Sequence, residues 1–299
     1  MDVSNGGDGN SGAPSVALQQ GTVENPLSSG ETARQWVIET RSLTKKFRQL
    51  TAVDALTLAI SPGQVFGLLG PNGAGKSTVM KMLVTLLPPT SGTATIAGYD
   101  LLKQPGLVRK SIGYVPQLLS ADAMLTGYEN LLIFAQLYDL PRSDRATRIE
   151  QALQSAGLRD VAQQLVGTYS GGMIRRLEIV TAMLHRPRVL FLDEPTVGLD
   201  PVARHSIWRQ VHSLVAEFGT TVVLTTHFMD EADALCDRIA IMSSGKVCAL
   251  GTVDELKAGM NSPGATLDDV FSHYAGAIEK TGEQFRDIAT TRSAAVRLG

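Results

Sequence analysis

The sequence predicts an α/β fold built around a parallel sheet. Three observations point there. Val65–Leu69, Val189–Leu192 and Thr221–Leu224 are short, nearly continuous apolar runs, the pattern of strands buried on both faces. Segments able to form helices separate these runs, as βαβ units require. The first run leads into a glycine-rich turn, Gly70–Gly75, and then into a helix-capable stretch.

The elements follow in chain order. Residues 1–33 are rich in Gly, Ser and Asn and contain no aromatic residue. Too little apolar surface is available there to offset chain entropy, which predicts a disordered tail. A domain is expected over 34–276, with a polar, poorly patterned tail at 277–299. Order begins near Trp36, where Trp36–Glu39 has the character of a strand start. Thr57–Ile60 alternates polar and apolar residues, as a half-buried strand does, before Ser61-Pro62-Gly63 turns the chain. A helix is expected over Ser77–Leu87, stopped by Pro88-Pro89. Glu129–Tyr138 and Arg145–Ala156 are helical in character, which places an inserted helical subdomain at about 118–170. Another helix is expected from about Ile174 to Leu184. Ile239–Met242 and Val247–Leu250 flank Ser243–Lys246 as a terminal β-hairpin. Past Thr266 a helix is expected to about Ala275. No internal repeat or sustained heptad pattern is present.

Composition excludes several functions. The 299 residues carry 27 Lys+Arg against 29 Asp+Glu, a net charge of −2. This gives no basic excess, so no nucleic-acid partner is expected. Arg142, Arg145 and Arg148 are read as a solvated helix face. Two cysteines, Cys236 and Cys248, cannot form a disulfide framework and suit a reducing compartment. A spanning helix needs about 20 mainly apolar residues, and stretches such as Leu131–Leu137 are far shorter. The first 33 residues, without Lys or Arg, do not form a secretory signal. Any work at a membrane would need another chain to do the spanning.

The chemistry concentrates in two places. Gly70-Pro71-Asn72-Gly73-Ala74-Gly75-Lys76-Ser77 fits the P-loop pattern, between a buried strand and a helix. Glycines let the backbone wrap a phosphate with N–H groups inward, and the helix N-terminus adds partial positive charge. Lys76 is expected to neutralise β/γ-phosphates, and Ser77 to offer its hydroxyl to Mg²⁺. Asp193 and Glu194 end the apolar run from Val189. Ligands sit at the carboxyl ends of strands in open α/β sheets. Neighbouring strand side chains point to opposite faces, so only one of the two carboxylates is expected to be buried. Asp193 is assigned to the metal and Glu194 to polarising the attacking water. Tyr169-Ser170-Gly171-Gly172-Met173, ahead of a helix, reads on its own as an ordinary capped start.

Together these motifs resemble the ATP-binding subunits of ABC transporters, over roughly Trp36 to Ala275. Gly70–Thr78 resembles Walker A and Leu190–Glu194 Walker B. Ser170-Gly171-Gly172 matches the core of the ABC signature, although Tyr169 and Met173 replace the usual Leu and Gln. Gln117 matches the Q-loop, Gly198–Pro201 the D-loop and His227 the H-loop. The resemblance implies a P-loop NTPase core with an antiparallel β subdomain and an inserted helical subdomain. It implies ATP and Mg²⁺ as cofactors, with Ser77, Gln117 and Asp193 at the metal. Phe47 would stack on adenine, while Gly70, Pro71, Asn72, Gly73, Ala74, Gly75, Lys76, Ser77 and Thr78 would hold the phosphates. Glu194, His227 and Gln117 would serve catalysis. Ser170, Gly171, Gly172 and Asp200 would complete the nucleotide site of a second subunit, in a homodimer. The Tyr-Ser-Gly-Gly-Met form, with Arg175-Arg176-Leu177-Glu178, resembles the daunorubicin-resistance-type and related ABC-2 export ATPases. An integral membrane permease is the implied partner, at the cytoplasmic face of the cell membrane. The alternative is a soluble ABC-type ATPase acting on ribosomes or DNA. A P-loop kinase or GTPase ranks behind both, because it leaves Ser170–Gly172 and His227 without a role.

Overall fold

The computed structural model describes residues 36–260, 262 and 264–279. The tail expected at 1–33, and residues 280–299 of the one expected at 277–299, lie outside them. Strands β1 (Ile38–Phe47) and β2 (Leu50–Ile60) come first, followed by β3 (Val65–Leu69) and helix α1 (Lys76–Leu83). Strands β4 (Ser91–Ile96) and β5 (Tyr99–Asp100), helix α2 (Pro105–Ser111) and strand β6 (Ile112–Val115) come next. Three helices follow, α3 (Gly127–Leu137), α4 (Arg142–Ser155) and α5 (Gly171–Met183). The chain then alternates through β7 (Val189–Asp193), α6 (Pro201–Phe218), β8 (Thr221–Thr226) and α7 (Met229–Leu235). It closes with β9 (Arg238–Ser243), β10 (Lys246–Gly251), α8 (Val253–Ala258) and α9 (Leu267–Glu279).

Two sheets result. One has four strands in the order β2-β1-β4-β5, paired antiparallel. The other has six strands in the order β10-β9-β3-β8-β7-β6. It is parallel from β9 to β6, with β10 added antiparallel. The apolar runs are explained by burial on both faces of this sheet. Phe66, Leu68, Phe191 and Val223 enter a core shared with α1 and the antiparallel sheet. Their neighbours Val65, Leu69, Leu190, Leu192, Val222 and Leu224 enter a second core with α5, α6 and α7. A third core, built from Leu131, Ile149, Leu153 and Leu177, lies within the helical stretch.

Caps fix where the helices begin. Thr126 and Glu129 form a reciprocal capping box at α3. The Ser170 hydroxyl accepts from the Met173 N–H at α5, and the Asp200 carboxylate accepts from the Ala203 N–H at α6. Helix α1 stops at Leu83, short of the expected Leu87. Thr85 takes a left-handed φ of 65°, and the Leu86 and Leu87 N–H groups both fold back to the Lys81 carbonyl. A tight turn, not the prolines, ends that helix. The expected solvated face of α4 is also only partly so. Arg142 is exposed, but Arg145 Nε donates to the Leu140 carbonyl at 2.8 Å and Arg148 to the Leu184 carbonyl at 3.1 Å.

Candidate functional site

The site forms where β3, β7 and β8 end side by side. Leu69 is registered with Thr226, and Asp193 with Thr225. The loop after β3 turns over these strand ends into α1. Gly75 has φ 102°, and a Cβ there would meet the Ala52 carbonyl oxygen at 2.5 Å. Only glycine permits both the left-handed backbone and the close approach. No side chain caps α1, so its first N–H groups face the loop.

Charged groups converge beneath the loop. Lys76 is buried, its Nζ donating to the Gly70 carbonyl at 2.7 Å and the Pro71 carbonyl at 3.2 Å. The same ammonium lies 3.5 Å from Glu194 Oε1. Burial pulls its pKa below the usual value, opposed by Glu194 and Asp193. Ser77 Oγ donates to Asp193 Oδ1 at 3.3 Å, and Thr225 Oγ1 donates to the same oxygen at 2.6 Å. Gln117 Nε2 donates to Glu194 Oε2 at 3.1 Å, and His227 Nδ1 lies 3.3 Å from Glu194 Oε1. One carboxylate therefore meets Lys76, Gln117 and His227.

The expectation that only one of the two carboxylates is buried is corrected. Asp193 is 3% exposed and Glu194 5%. Strand alternation stops at Asp193, because Glu194 takes a left-handed φ of 48°. That twist turns its side chain back toward Lys76. A non-glycine residue in this region is strained, as residues at working sites often are.

The structure brings Lys76, Ser77, Gln117, Asp193, Glu194 and His227 together. It leaves others apart. Ser170 and Asp200 are exposed at the caps of α5 and α6, and among the described residues no hydrogen bond joins either to Lys76 or to Glu194. Gly172 packs against α6 so closely that a Cβ there would lie 2.8 Å from Ala203 Cβ. The two loops thus form one surface. Phe47, at the end of β1, is 44% exposed, with Lys45 Nζ 5.2 Å from its ring centre.

Sequence reasoning missed three contributors. Thr225 is fully buried and holds both Asp193 and the Glu194 N–H, the latter at 2.9 Å. Its signal was a hydroxyl at the end of an apolar run. Arg175 and Glu178 are also buried, paired at 3.0 Å. Arg175 donates to the Pro116 carbonyl at 2.7 Å and to the Gln117 carbonyl at 2.6 Å. Glu178 accepts from the backbone N–H groups of Ser120 and Ala121. Their signal was a pair of charges, three residues apart, on the inner face of a helix.

The donor set suits a magnesium nucleotide. The hydroxyl of Ser77, the carboxylate of Asp193 and the amide oxygen of Gln117 are hard oxygen ligands. Among the described residues no group of three or more His, Cys, Asp or Glu side chains could hold a metal. A metal here would take its other oxygens from phosphate and water, the usual habit of magnesium at phosphate sites.

Known proteins resemble this chain in sequence and in fold. A family model described as "ABC transporter" matches residues 53–197. The chain is 47% identical over 225 residues to the daunorubicin/doxorubicin resistance ATP-binding protein of Streptomyces peucetius, covering 75% of this chain and 68% of the relative. The chain belongs to the ABC transporter ATP-binding proteins. It is 41% identical to the Nod factor export ATP-binding protein I of Sinorhizobium fredii, over 87% of this chain and 78% of that one. It spans 45% of the length of a longer Escherichia coli relative, 42% identical over 269 residues. A solved structure titled as the ATP-binding subunit of an ABC transporter superposes with TM-score 0.72 at 30% identity, covering 80% of this chain and 99% of that one. This ABC ATPase binds and hydrolyses ATP, and subunits of its kind pair with membrane permeases. These relatives favour the transporter reading over the ribosome or DNA alternative. Among the described residues no helix is long and apolar enough to cross a membrane.

Proposed function

We propose that this ATPase works as a homodimer that drives export of a drug- or lipid-like substrate through a separate permease, from the cytoplasmic face of the cell membrane. The observation that carries the permease reading is the surface beside Gln117. Gln117 reaches Glu194, while Leu118 is 82% exposed and Met124 80%. Leu137, on α3, is 70% exposed. A groove lined by Tyr114, Pro116, Asn130, Phe134 and Tyr138 runs between this loop and α3. An apolar surface joined to the hydrolytic carboxylate by one side chain suits a partner that must sense the nucleotide. The exporter assignment follows the names of the relatives in Streptomyces and Sinorhizobium.

The dimer reading has its own support. Ser170, Gly171 and Asp200 are exposed, and among the described residues no hydrogen bond joins them to the chain's own Lys76. A second copy would bring its Ser170–Gly172 to the γ-phosphate that Lys76 holds. Bound magnesium would supply positive charge against the phosphate oxygens, with Ser77, Asp193 and Gln117 as protein ligands. Glu194 would orient and deprotonate the attacking water, and His227 would steady the γ-phosphate. Phe47 would lie against adenine.

Two measurements follow. Lys76→Ala should weaken nucleotide binding by roughly 10–100-fold, the worth of a charge-assisted hydrogen bond, read by fluorescent-nucleotide titration. Leu118→Asp with Leu137→Asp should abolish co-purification with a polytopic chain in detergent while leaving the thermal midpoint within about 2 °C, since both sites are exposed. Retained co-purification, or pelleting with ribosomes, would reject the docking surface.

A further inference from the structure

Glu231 is a buried carboxyl that the hydrolytic cluster does not use. It lies on α7 and is 1% exposed. Its Oε1 accepts from Thr196 Oγ1 at 2.8 Å and from Trp208 Nε1 at 3.3 Å. Its Oε2 has no hydrogen-bond partner among the described residues. Burying such a group is costly, so its place here calls for a reason.

The partners give one. Thr196 is fully buried in the loop between Glu194 and Asp200. Trp208 lies on α6, the helix that Asp200 caps. Helix α7 begins directly after His227 and Phe228. The Glu231 carboxyl thus joins the segment leaving Glu194 to the segment leaving His227. A second, independent contact joins the same two elements. Arg204, on α6, pairs with Asp230 at 2.9 Å and places its guanidinium 4.7 Å from the Phe228 ring. Phe228 in turn packs on the His227 imidazole, with ring centres 4.2 Å apart.

We propose that Glu231 is a positioning residue for ATP hydrolysis, tying the Glu194–Asp200 loop to the His227 segment so that both move as one body. The proposal rests on the roles given above to His227 and Asp200. A second copy that displaced Asp200 would then shift His227 against Glu194 through this strap. Burial pushes the Glu231 carboxyl above its usual range, opposed by Thr226, Thr196, Trp208 and Arg204. Glutamine keeps the length of the side chain and an oxygen that can accept from Thr196 and Trp208, so it should substitute.

The test compares Glu231→Gln and Glu231→Leu in the full chain by steady-state ATP hydrolysis. Losing one or two buried hydrogen bonds at a positioning contact should lower kcat about tenfold in Glu231→Leu, with KM for ATP unchanged within twofold. Glu231→Gln, whose amide oxygen still accepts from Thr196 and Trp208, should keep kcat within threefold of wild type. Wild-type kcat in Glu231→Leu, equal losses in both variants, or a raised KM at constant kcat would each overturn the proposal. If Glu231→Leu does not fold, Thr196→Val takes its place, with Thr196→Ser as the rescue, and wild-type turnover in Thr196→Val overturns it. ATP-dependent association of the wild-type chain, followed by mass, tests the dimer reading separately. A monomer would remove the second-copy part while leaving the kcat comparison to decide the strap.

Discussion

Glu194→Gln is expected to bind ATP and to hydrolyse it about 10²–10⁴-fold more slowly, the usual worth of a positioned general base. The amide keeps the size of the side chain and its contact with Gln117, which lies 3.1 Å from Oε2. What it loses is the capacity to take a proton. It also loses the negative charge 3.5 Å from Lys76, which leaves that ammonium free to hold phosphate more tightly. Slow turnover with firm binding should trap a nucleotide-bound pair of subunits. Phosphate release measures the first effect, and mass measurement with ATP and magnesium the second. Turnover at the wild-type rate would reject the role given to Glu194.

Arg175→Met is expected to be the most destabilising of the proposed substitutions outside the nucleotide loop. It removes three donated hydrogen bonds, to Pro116, Gln117 and Glu178. It also leaves the Glu178 carboxylate buried without its counter-charge. Breaking one side of a buried pair costs about 3–5 kcal/mol, which in a domain of this size lowers the thermal midpoint by roughly 10 °C. Arg175→Met with Glu178→Leu removes both charges and should recover part of the midpoint, because no unpaired charge remains, while the backbone groups at 116–121 that the pair held still lose their partners. It should not recover turnover. The Pro116 and Gln117 carbonyls would still lack the guanidinium that donates to them, so Gln117 would lose its place at Glu194. Recovery of stability and activity together would show that the pair serves folding alone.

Much of this was legible in the sequence, for a physical reason. The runs Val65–Leu69 and Val189–Leu192 stand out because neighbouring residues feed two different cores, so no polar residue interrupts them. The phosphate loop was legible because its glycines, lysine and serine are each required at their spacing. The antiparallel sheet was harder to see. Its strand β1 slips register against β2 at three places, and Ser42 and Ala55 take left-handed backbone. Strand β4, Ser91–Ile96, carries Ser, Gly and Thr in place of an apolar run. The joint burial of Asp193 and Glu194 was hidden because a positive φ at Glu194 breaks the alternation assumed for a strand. The grip of Arg175 and Glu178 on residues 116–121 was hidden because it joins segments far apart in the chain.

The seat of Gly172 on Ala203 makes two loops behave as a single fingertip. An arriving neighbour must touch both or neither. Enlarging either residue would splay that fingertip, and in the proposed dimer the damage would surface mainly in the opposite half, whose chemistry would wait on being touched.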